Sequence, residues 1–183
     1  MASPAVSAPL AQLPNALTVA RLALIPVFVV LLLSADGGHS WPAAIVFGVA
    51  GVTDQVDGFL ARRWHVESAF GKLADPLADR LMIDAAVILL WGADRLPWVA
   101  LAIPARDLVA LAGTPLLLGR GYEFRVNFLG KAATWLLYAS LAFLMVTSRG
   151  TDWPLWIFWI GVGLAVVSLA QYARRAGREV TRP

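Results

Sequence analysis

The chain has 183 residues, of which 59% are hydrophobic and only 15% are charged, and its mean hydropathy is +0.70. This composition excludes an ordinary soluble domain and predicts a polytopic membrane protein. The sequence contains no cysteine, which excludes disulfides and thiolate metal sites. The formal net charge of +3 is modest, and no nucleic-acid partner is expected.

Six apolar segments are long enough to cross a bilayer as helices, because a hydrocarbon core of about 30 Å needs ~20 residues. In chain order they cover about 17–34, 42–62, 73–92, 97–118, 128–147 and 153–172. We therefore predict an all-α membrane protein with six transmembrane helices in one bundle. Residues 1–13 are expected to form a flexible tail without a cleavable signal peptide, residues 14–172 the membrane domain, and residues 173–183 a basic tail.

The basic residues predict the orientation of the helices. Ten of them lie in 62–72, in 119–131 and after residue 172, whereas the opposite connections hold only Arg95 and Arg149. By the positive-inside bias, the face with ten basic residues and both termini are predicted to be cytoplasmic, in a multi-pass protein of the cell membrane. Tryptophans mark the predicted outer ends of the spans: Trp41, Trp91, Trp98 and Trp153.

Four aspartates interrupt the second and third predicted spans: Asp54, Asp57, Asp75 and Asp79. A carboxylate at the centre of a membrane helix costs roughly 2.5–3.5 kcal/mol, so four of them need cations or water nearby. The predicted orientation brings both pairs to a similar depth in the cytoplasmic halves of neighbouring helices. Oxygen-only ligation favours Mg²⁺ or Mn²⁺ over zinc, and four carboxylates can hold two such ions. The alternative is that the acids form buried ion pairs with nearby basic residues: Arg62, Arg63, Arg80 and Lys72.

Small residues accompany the acids on the same helix faces. At 100° per residue, Gly58, Ala61 and Arg62 share one face of the second helix with its two aspartates. Gly71 lies on the acidic face of the third helix. Residues this small let a bulky ligand or another backbone approach closely. The two faces together predict a site that is both acidic and open.

The spacing of these residues forms a recognisable signature. From Asp54 to Asp79 the chain reads D-x2-D-G-x2-A-R-x8-G-x3-D-x3-D. This resembles the CDP-alcohol phosphatidyltransferase family at every signature position and at every gap. The segment Pro14-Asn15-x-x-Thr18-x-x-Arg21 and the pair Gly130-Lys131 are also similar to that family, so the resemblance covers nearly the whole chain.

The resemblance implies a reaction and a cofactor. Members of the family transfer a substituted phosphate from a CDP-linked donor to an alcohol and release CMP. Here the implied donor is CDP-diacylglycerol, a lipid, and membrane lipids surround the protein. By similarity Asp54, Asp57 and Asp75 hold two divalent cations, Mg²⁺ or Mn²⁺, with help from Asp79. Asp79 is also the implied general base, which takes the proton from the acceptor hydroxyl.

The resemblance also suggests which residues bind the two substrates. The donor-binding candidates are Gly58, Ala61, Arg62, Gly71, Asn15, Thr18 and Arg21. For Asn15, Thr18 and Arg21 the alternative is ordinary interfacial anchoring of the first helix. The acceptor-binding candidates are the cations Arg106, Lys131, Arg80 and Arg125, which would bind the phosphate of glycerol 3-phosphate. The alternative for Arg106 is a pair with Asp107 or with an acid of the signature.

The acceptor is left open between two glycerol-type alcohols. Arg106-Asp107 is similar to the corresponding pair of cardiolipin synthases in this superfamily, which use phosphatidylglycerol, whereas phosphatidylglycerophosphate synthases more often carry Arg-Glu. Asp84, deep in the third span, has no predicted role. A homodimer is compatible with the apolar outer helix faces. A cation transporter with an acidic path is the rival class, although the acids do not continue across the membrane.

Overall fold

The computed structural model describes residues 8–64, 69–108 and 128–180. Within its helices, the side chains at 8–15, 54–64, 69–76, 79 and 172–180 are not described. The described residues form helices, turns and irregular segments, with no strand among them. The prediction of an all-α protein is confirmed.

Six α-helices follow one another in the part of the chain that the structure describes. They are α1 (Ala8–Leu33), α2 (Trp41–Trp64), α3 (Ala69–Gly92), α4 (described over 102–108), α5 (Phe128–Val146) and α6 (Trp153–Val180). Short 3-10 turns lie at Asp36–Gly38, before α2, and at Trp98–Leu101, before α4. Helices α2, α3 and α5 match the predicted spans to within a few residues. Helix α1 begins well before the predicted start at 17, and α6 continues past 172 into the predicted basic tail.

Among the described residues, three helical segments are long and apolar enough to cross a membrane: Ala16–Leu33, Phe128–Val146 and Trp153–Gln171. A shorter apolar helix covers Trp41–Thr53. Many large apolar side chains face outward, for example Val30, Ile45 and Trp156, which are 60–70% exposed. Water would not favour such a surface, whereas lipid tails would. The chain is a helical membrane protein.

The core lies where α1, α2, α3 and α5 meet. Helix α1 packs against α2 and α3, α2 also packs against α5, and α5 packs against α6. The largest buried apolar side chains come from all of these helices: Phe28, Phe47, Met82, Leu90, Leu141, Met145 and Phe158. Aromatic rings link α1 to α2 and α2 to α5, with centroids 5.4 Å apart for Phe28–Phe47 and 4.9 Å apart for Phe47–Tyr138. These contacts fix the position of α2, which carries the first pair of aspartates.

Three loops meet at one end of the bundle: 34–40, 93–97 and 147–152. The Ser40 amide donates to the Met145 carbonyl over 2.8 Å, and Arg95 Nη2 donates to the Thr147 carbonyl over 2.7 Å. Arg149 Nη2 donates to the Ala93 carbonyl over 3.1 Å. These are the loops that the positive-inside bias predicts to be on the outer side. The four predicted marker tryptophans are all exposed near this end.

Helix α2 approaches α5 closely at Gly51. A Cβ atom built on Gly51 would lie 2.8 Å from Tyr138 Cδ1, inside van der Waals contact, and Phe47 confines that ring. Gly48 lies one turn earlier in the same helix, and a Cβ atom there would have no atom within 4 Å. Small residues at such crossings let membrane helices pack with their backbones close together.

We expect Gly51→Ala to lower the apparent unfolding temperature in detergent, because displacing the Tyr138 ring costs about 1–3 kcal/mol. Gly48→Ala is the matched control and should be neutral or stabilising, since alanine favours a helix over glycine by up to about 1 kcal/mol. Thermal unfolding followed by circular dichroism compares the two variants. Equal shifts for both would contradict the close packing of α2 on α5.

Candidate active site

The two predicted acidic pairs lie at similar distances from the ends of α2 and α3 that border residues 65–68. Asp54 and Asp57 precede the last residue of α2, Trp64, by ten and seven residues. Asp75 and Asp79 follow the first residue of α3, Ala69, by six and ten residues. At 1.5 Å per residue, each helix therefore carries its acids about 9–15 Å from the end that faces the connection 65–68.

The packing of the two helices is consistent with one shared acidic site. Helices α2 and α3 contact each other, and α1 packs against both. The side chains of the four aspartates are not among those that the structure describes. The same is true of the side-chain surroundings at four neighbouring positions: Gly58, Ala61, Arg62 and Gly71. Among the side chains that the structure does describe, no group of three or more His, Cys, Asp or Glu residues could hold a metal ion. Carboxylate oxygens, which the four aspartates would offer, are ligands that suit Mg²⁺ or Mn²⁺.

Thr18 and Arg21 are buried in the bundle. Each is only 1% exposed, and a separation of three residues places both on one face of α1. Ordinary interfacial anchoring would leave such side chains at the surface, so their burial favours a role inside the bundle. A buried arginine in a membrane helix marks an anion site or an ion-pair network by default. The side chain of Asn15, the third predicted member of this group, is not described.

Arg106 forms an ion pair with its neighbour Asp107 in α4. Arg106 Nη2 lies 2.7 Å and Nε 2.9 Å from the same carboxylate oxygen. The Asp107 side chain is 7% exposed, whereas that of Arg106 is 45% exposed. The pairing anticipated for Arg106 is therefore present. It leaves other N–H groups of the guanidinium available, because arginine carries five.

Asp84 lies on α3, and the charges of Asp107, Arg106 and Arg80 are near enough to act on its carboxylate. Its Oδ1 atom is buried and has no hydrogen-bond partner among the described residues. The sequence assigned no role to Asp84, because its helical angle differs from that of the signature aspartates. That angle alone did not show which charged residues lie near Asp84.

The remaining predicted acceptor residues are partly described. Arg80 and Lys131 are exposed, on α3 and near the start of α5. Gly130, beside Lys131, lies close to α6, because an added Cβ atom would be 3.2 Å from Ser168 Oγ. Arg125 lies outside the described residues.

The sequence matches the CDP-alcohol phosphatidyltransferase family over residues 11–167. The chain belongs to that family. The match includes all four signature aspartates as well as Thr18, Arg21, Arg106 and Lys131.

Individual relatives have two different activities. The chain is 36% identical over 182 residues to the CDP-diacylglycerol–glycerol-3-phosphate 3-phosphatidyltransferase of Bacillus subtilis, covering 88% of this chain and 93% of the relative. It is 33% identical over 162 residues to the Escherichia coli K12 protein of the same name, covering 86% of each chain. It is also 42% identical over 148 residues to a CMP-forming cardiolipin synthase of Streptomyces coelicolor, covering 77% of this chain and 67% of the relative.

Proposed function

We propose that this protein transfers a phosphatidyl group from CDP-diacylglycerol to a glycerol-type alcohol and releases CMP, as a step of phospholipid biosynthesis. The observation that carries the proposal is the family match over residues 11–167, which spans both acidic helices. The same match argues against a cation transporter. Purified protein in detergent, supplied with CDP-diacylglycerol and an alcohol, tests the proposal by the release of CMP.

The four aspartates are proposed to hold two divalent cations, Mg²⁺ or Mn²⁺. Asp54 and Asp57 from α2 and Asp75 and Asp79 from α3 would provide an oxygen-only ligand set. Paired cations supply charge neutralisation for the donor pyrophosphate and for the attacking and leaving oxygens. Without such charge the four carboxylates would repel one another in a small volume of low dielectric constant.

Asp79 is proposed to act as the general base. Its carboxylate accepts the proton of the acceptor hydroxyl, and that oxygen forms a bond to the phosphorus bearing the diacylglycerol. The bond between this phosphorus and the bridging oxygen of CMP breaks, so CMP leaves in line. Neighbouring positive charge keeps a carboxylate ionised, as a base requires.

The donor is proposed to bind beside the acids. Gly58, Ala61 and Gly71 leave space for the cytidine, and Arg62 contacts the donor or steadies the aspartates. Thr18 and Arg21, with Asn15, are proposed to line the site from α1. The burial of Thr18 and Arg21 and the packing of α1 against both acidic helices support this arrangement.

Glycerol 3-phosphate is the leading acceptor. The proposed phosphate-binding cations are Arg106, Lys131, Arg80 and Arg125. Depth can be measured along the helix axes from the outer end of the bundle, where α3 ends and the 3-10 turn before α4 begins. Arg106 lies about 14 Å from the start of that turn, and Asp79 lies about 20 Å from the end of α3. A depth difference of about 6 Å suits a small alcohol that places its hydroxyl at Asp79 and its phosphate at Arg106.

Phosphatidylglycerol is the second candidate acceptor. The relative with 42% identity is a CMP-forming cardiolipin synthase, and the observed Arg106–Asp107 pair neutralises part of the charge that a phosphomonoester needs. A panel of glycerol 3-phosphate, phosphatidylglycerol and inositol phosphate, compared by CMP release at equal donor concentration, separates the candidates. Preferential turnover with phosphatidylglycerol would reassign the protein to cardiolipin synthesis.

The active site is proposed to face the cytoplasm of a cell in which the protein spans the plasma membrane six times. The end of the bundle opposite the three described loops carries the acidic pairs, and the chain has ten basic residues in the segments predicted for that side. Both termini are proposed to lie there. A homodimer is compatible with the apolar outward helix faces.

We expect Arg106→Ala to raise the half-saturating concentration of the acceptor about tenfold or more, because a charged hydrogen bond contributes about 1.5–3 kcal/mol. The value for CDP-diacylglycerol should change less. Arg106→Lys should recover part of the loss, since it restores the charge but not the planar guanidinium. Steady-state CMP release with each substrate varied in turn measures both constants. A larger change for the donor would reassign Arg106 to donor binding.

A further inference from the structure

The three outer loops enclose a cavity of about 450 Å³ that opens at the surface. Its lining residues come from all three loops: Asp36, Gly37, His39, Arg95, Ser148 and Arg149. The cavity lies at the end of the bundle opposite the acidic pairs. It therefore belongs to neither the donor site nor the acceptor site.

Arg95 is built into the wall of this cavity. The residue is 7% exposed, and its Nη2 atom donates to the carbonyls of Leu144 and Thr147 and to Thr147 Oγ1. The Leu144 carbonyl belongs to the last turn of α5 and the Thr147 carbonyl follows its last residue, and a cation is favourable at this end of a helix. The Nη1 atom, however, is buried and has no hydrogen-bond partner among the described residues. Because the protein engages only some of the N–H groups of this guanidinium, other donors remain for an oxygen ligand.

Arg149 brings a second guanidinium to the same place. Its Nη2 atom donates to the Ala93 carbonyl, and the group lies flat over Gly37, which has φ of 56°. A Cβ atom on Gly37 would be 2.6 Å from Arg149 Nη2, so only glycine permits this contact. In the part of the chain that the structure describes, neither arginine forms an ion pair with an acid, although Asp36 lines the same cavity.

The two positive charges act on each other. Burial, and then the charge of Arg149, lower the pKa of Arg95 below its usual value. Arginine nevertheless stays protonated at neutral pH, so the repulsion remains. A bound anion would reduce that repulsion and would supply the oxygens that the buried guanidinium lacks. His39 adds a further polar group, with Nδ1 3.2 Å from the Thr147 carbonyl.

We propose that this outer cavity binds a phosphate group, and that the phosphate belongs to an anionic lipid of the adjacent leaflet. The exposed indoles of Trp41, Trp98 and Trp153 near this end place the cavity at the depth of lipid headgroups. Guanidinium groups bind phosphate oxygens through parallel N–H donors. Arg95 and Arg149 would contact the phosphate, and Gly37 would hold Arg149 in place.

The test uses the full-length protein in phosphatidylcholine nanodiscs with and without phosphatidic acid, which has no headgroup alcohol. Phosphatidic acid should raise the apparent unfolding temperature and should bind saturably when measured by native mass spectrometry. Arg149→Ala should weaken that binding about tenfold or more. Gly37→Ala, which keeps the charge but displaces Arg149, should weaken it as well. Arg182→Ala, in the C-terminal tail, is the control and should bind as the unchanged protein does.

Inorganic phosphate provides the second arm of the test. Protection by phosphatidic acid but not by inorganic phosphate identifies the ligand as a lipid. Equal protection by both at matched concentration keeps the phosphate site but rejects a lipid as its occupant. Unchanged binding of both ligands in Arg149→Ala and Gly37→Ala would overturn the proposal. CMP release by Arg149→Ala should stay normal in either case, which separates this site from the proposed transferase activity.

Discussion

Asp79→Asn should fold normally and should still bind divalent cations through Asp54, Asp57 and Asp75, because Asp79 only assists those ligands, but it should lose about 10²–10⁴-fold in the rate of CMP release at saturating Mn²⁺. This range is the usual contribution of a positioned general base. Asparagine keeps the shape of aspartate and one carbonyl oxygen, but it cannot take the proton from the acceptor hydroxyl. The rate constant at saturating donor, acceptor and Mn²⁺ is the quantity to measure, with circular dichroism to confirm the helical fold.

A matched control is available at the other end of the bundle. Asp94 lies in the exposed turn after α3 with φ of 56°, a conformation that asparagine also tolerates. Asp94→Asn should retain full activity. Normal turnover by Asp79→Asn would remove Asp79 from the role of base, and the proton would then have to pass to another group.

Asp75→Ala should weaken the binding of divalent cations and shift the Mn²⁺ dependence of activity to higher concentration. Loss of a residue that merely supports a metal ligand costs roughly 10–100-fold in affinity or activity, so loss of a direct ligand should exceed that. Titrating Mn²⁺ into the purified protein, by calorimetry and by CMP release, measures both effects. The isosteric variant Asp75→Asn should behave similarly, because the amide lacks the negative charge.

The control for this experiment is Asp152→Asn, which changes an exposed acid in the loop before α6. Its Mn²⁺ titration should match that of the unchanged protein. If Asp75→Ala instead gave the same titration curve as Asp152→Asn, the carboxylate of Asp75 would not be a ligand. The ion-pair alternative for the four aspartates would then become the better interpretation.

Much of the fold is predictable because the bilayer sets the length of each helix. Helix α5 was predicted at 128–147 and is observed at Phe128–Val146, since its apolar run ends in turn residues. The early start of α1 was missed, because Ala8–Pro14 contains two prolines and little apolar periodicity. Hydropathy locates the membrane-crossing part of a helix and not its continuation into the interface.

The pairwise contacts were harder to predict. Spacing placed Asp54, Asp57, Asp75 and Asp79 on helix faces, and the structure adds that each pair lies at a similar distance from the end of its helix and that the two helices are in contact. Hydropathy did not predict that the Tyr138 ring packs against Gly51, because such a contact depends on which faces of helices distant in sequence meet.

The arginines show the same limit of sequence reasoning. The positive-inside bias assigned Arg95 and Arg149 to the outer side, where basic residues are few. Nothing in the sequence indicated that the two arginines share a cavity. Their hydrogen bonds join loops that are about 50 residues apart in the chain. Only tertiary structure brings such residues together.

The most direct test of a metal-dependent phosphatidyltransferase is CMP release from CDP-diacylglycerol by the purified protein, measured with an acceptor while Mg²⁺ or Mn²⁺ is removed and restored. We expect release to require both the acceptor and the cation, to stop when EDTA is added and to resume when excess Mn²⁺ is restored. CMP release that continues unchanged in EDTA, or cation flux through liposomes without any release of CMP, would contradict a catalytic metal site between α2 and α3.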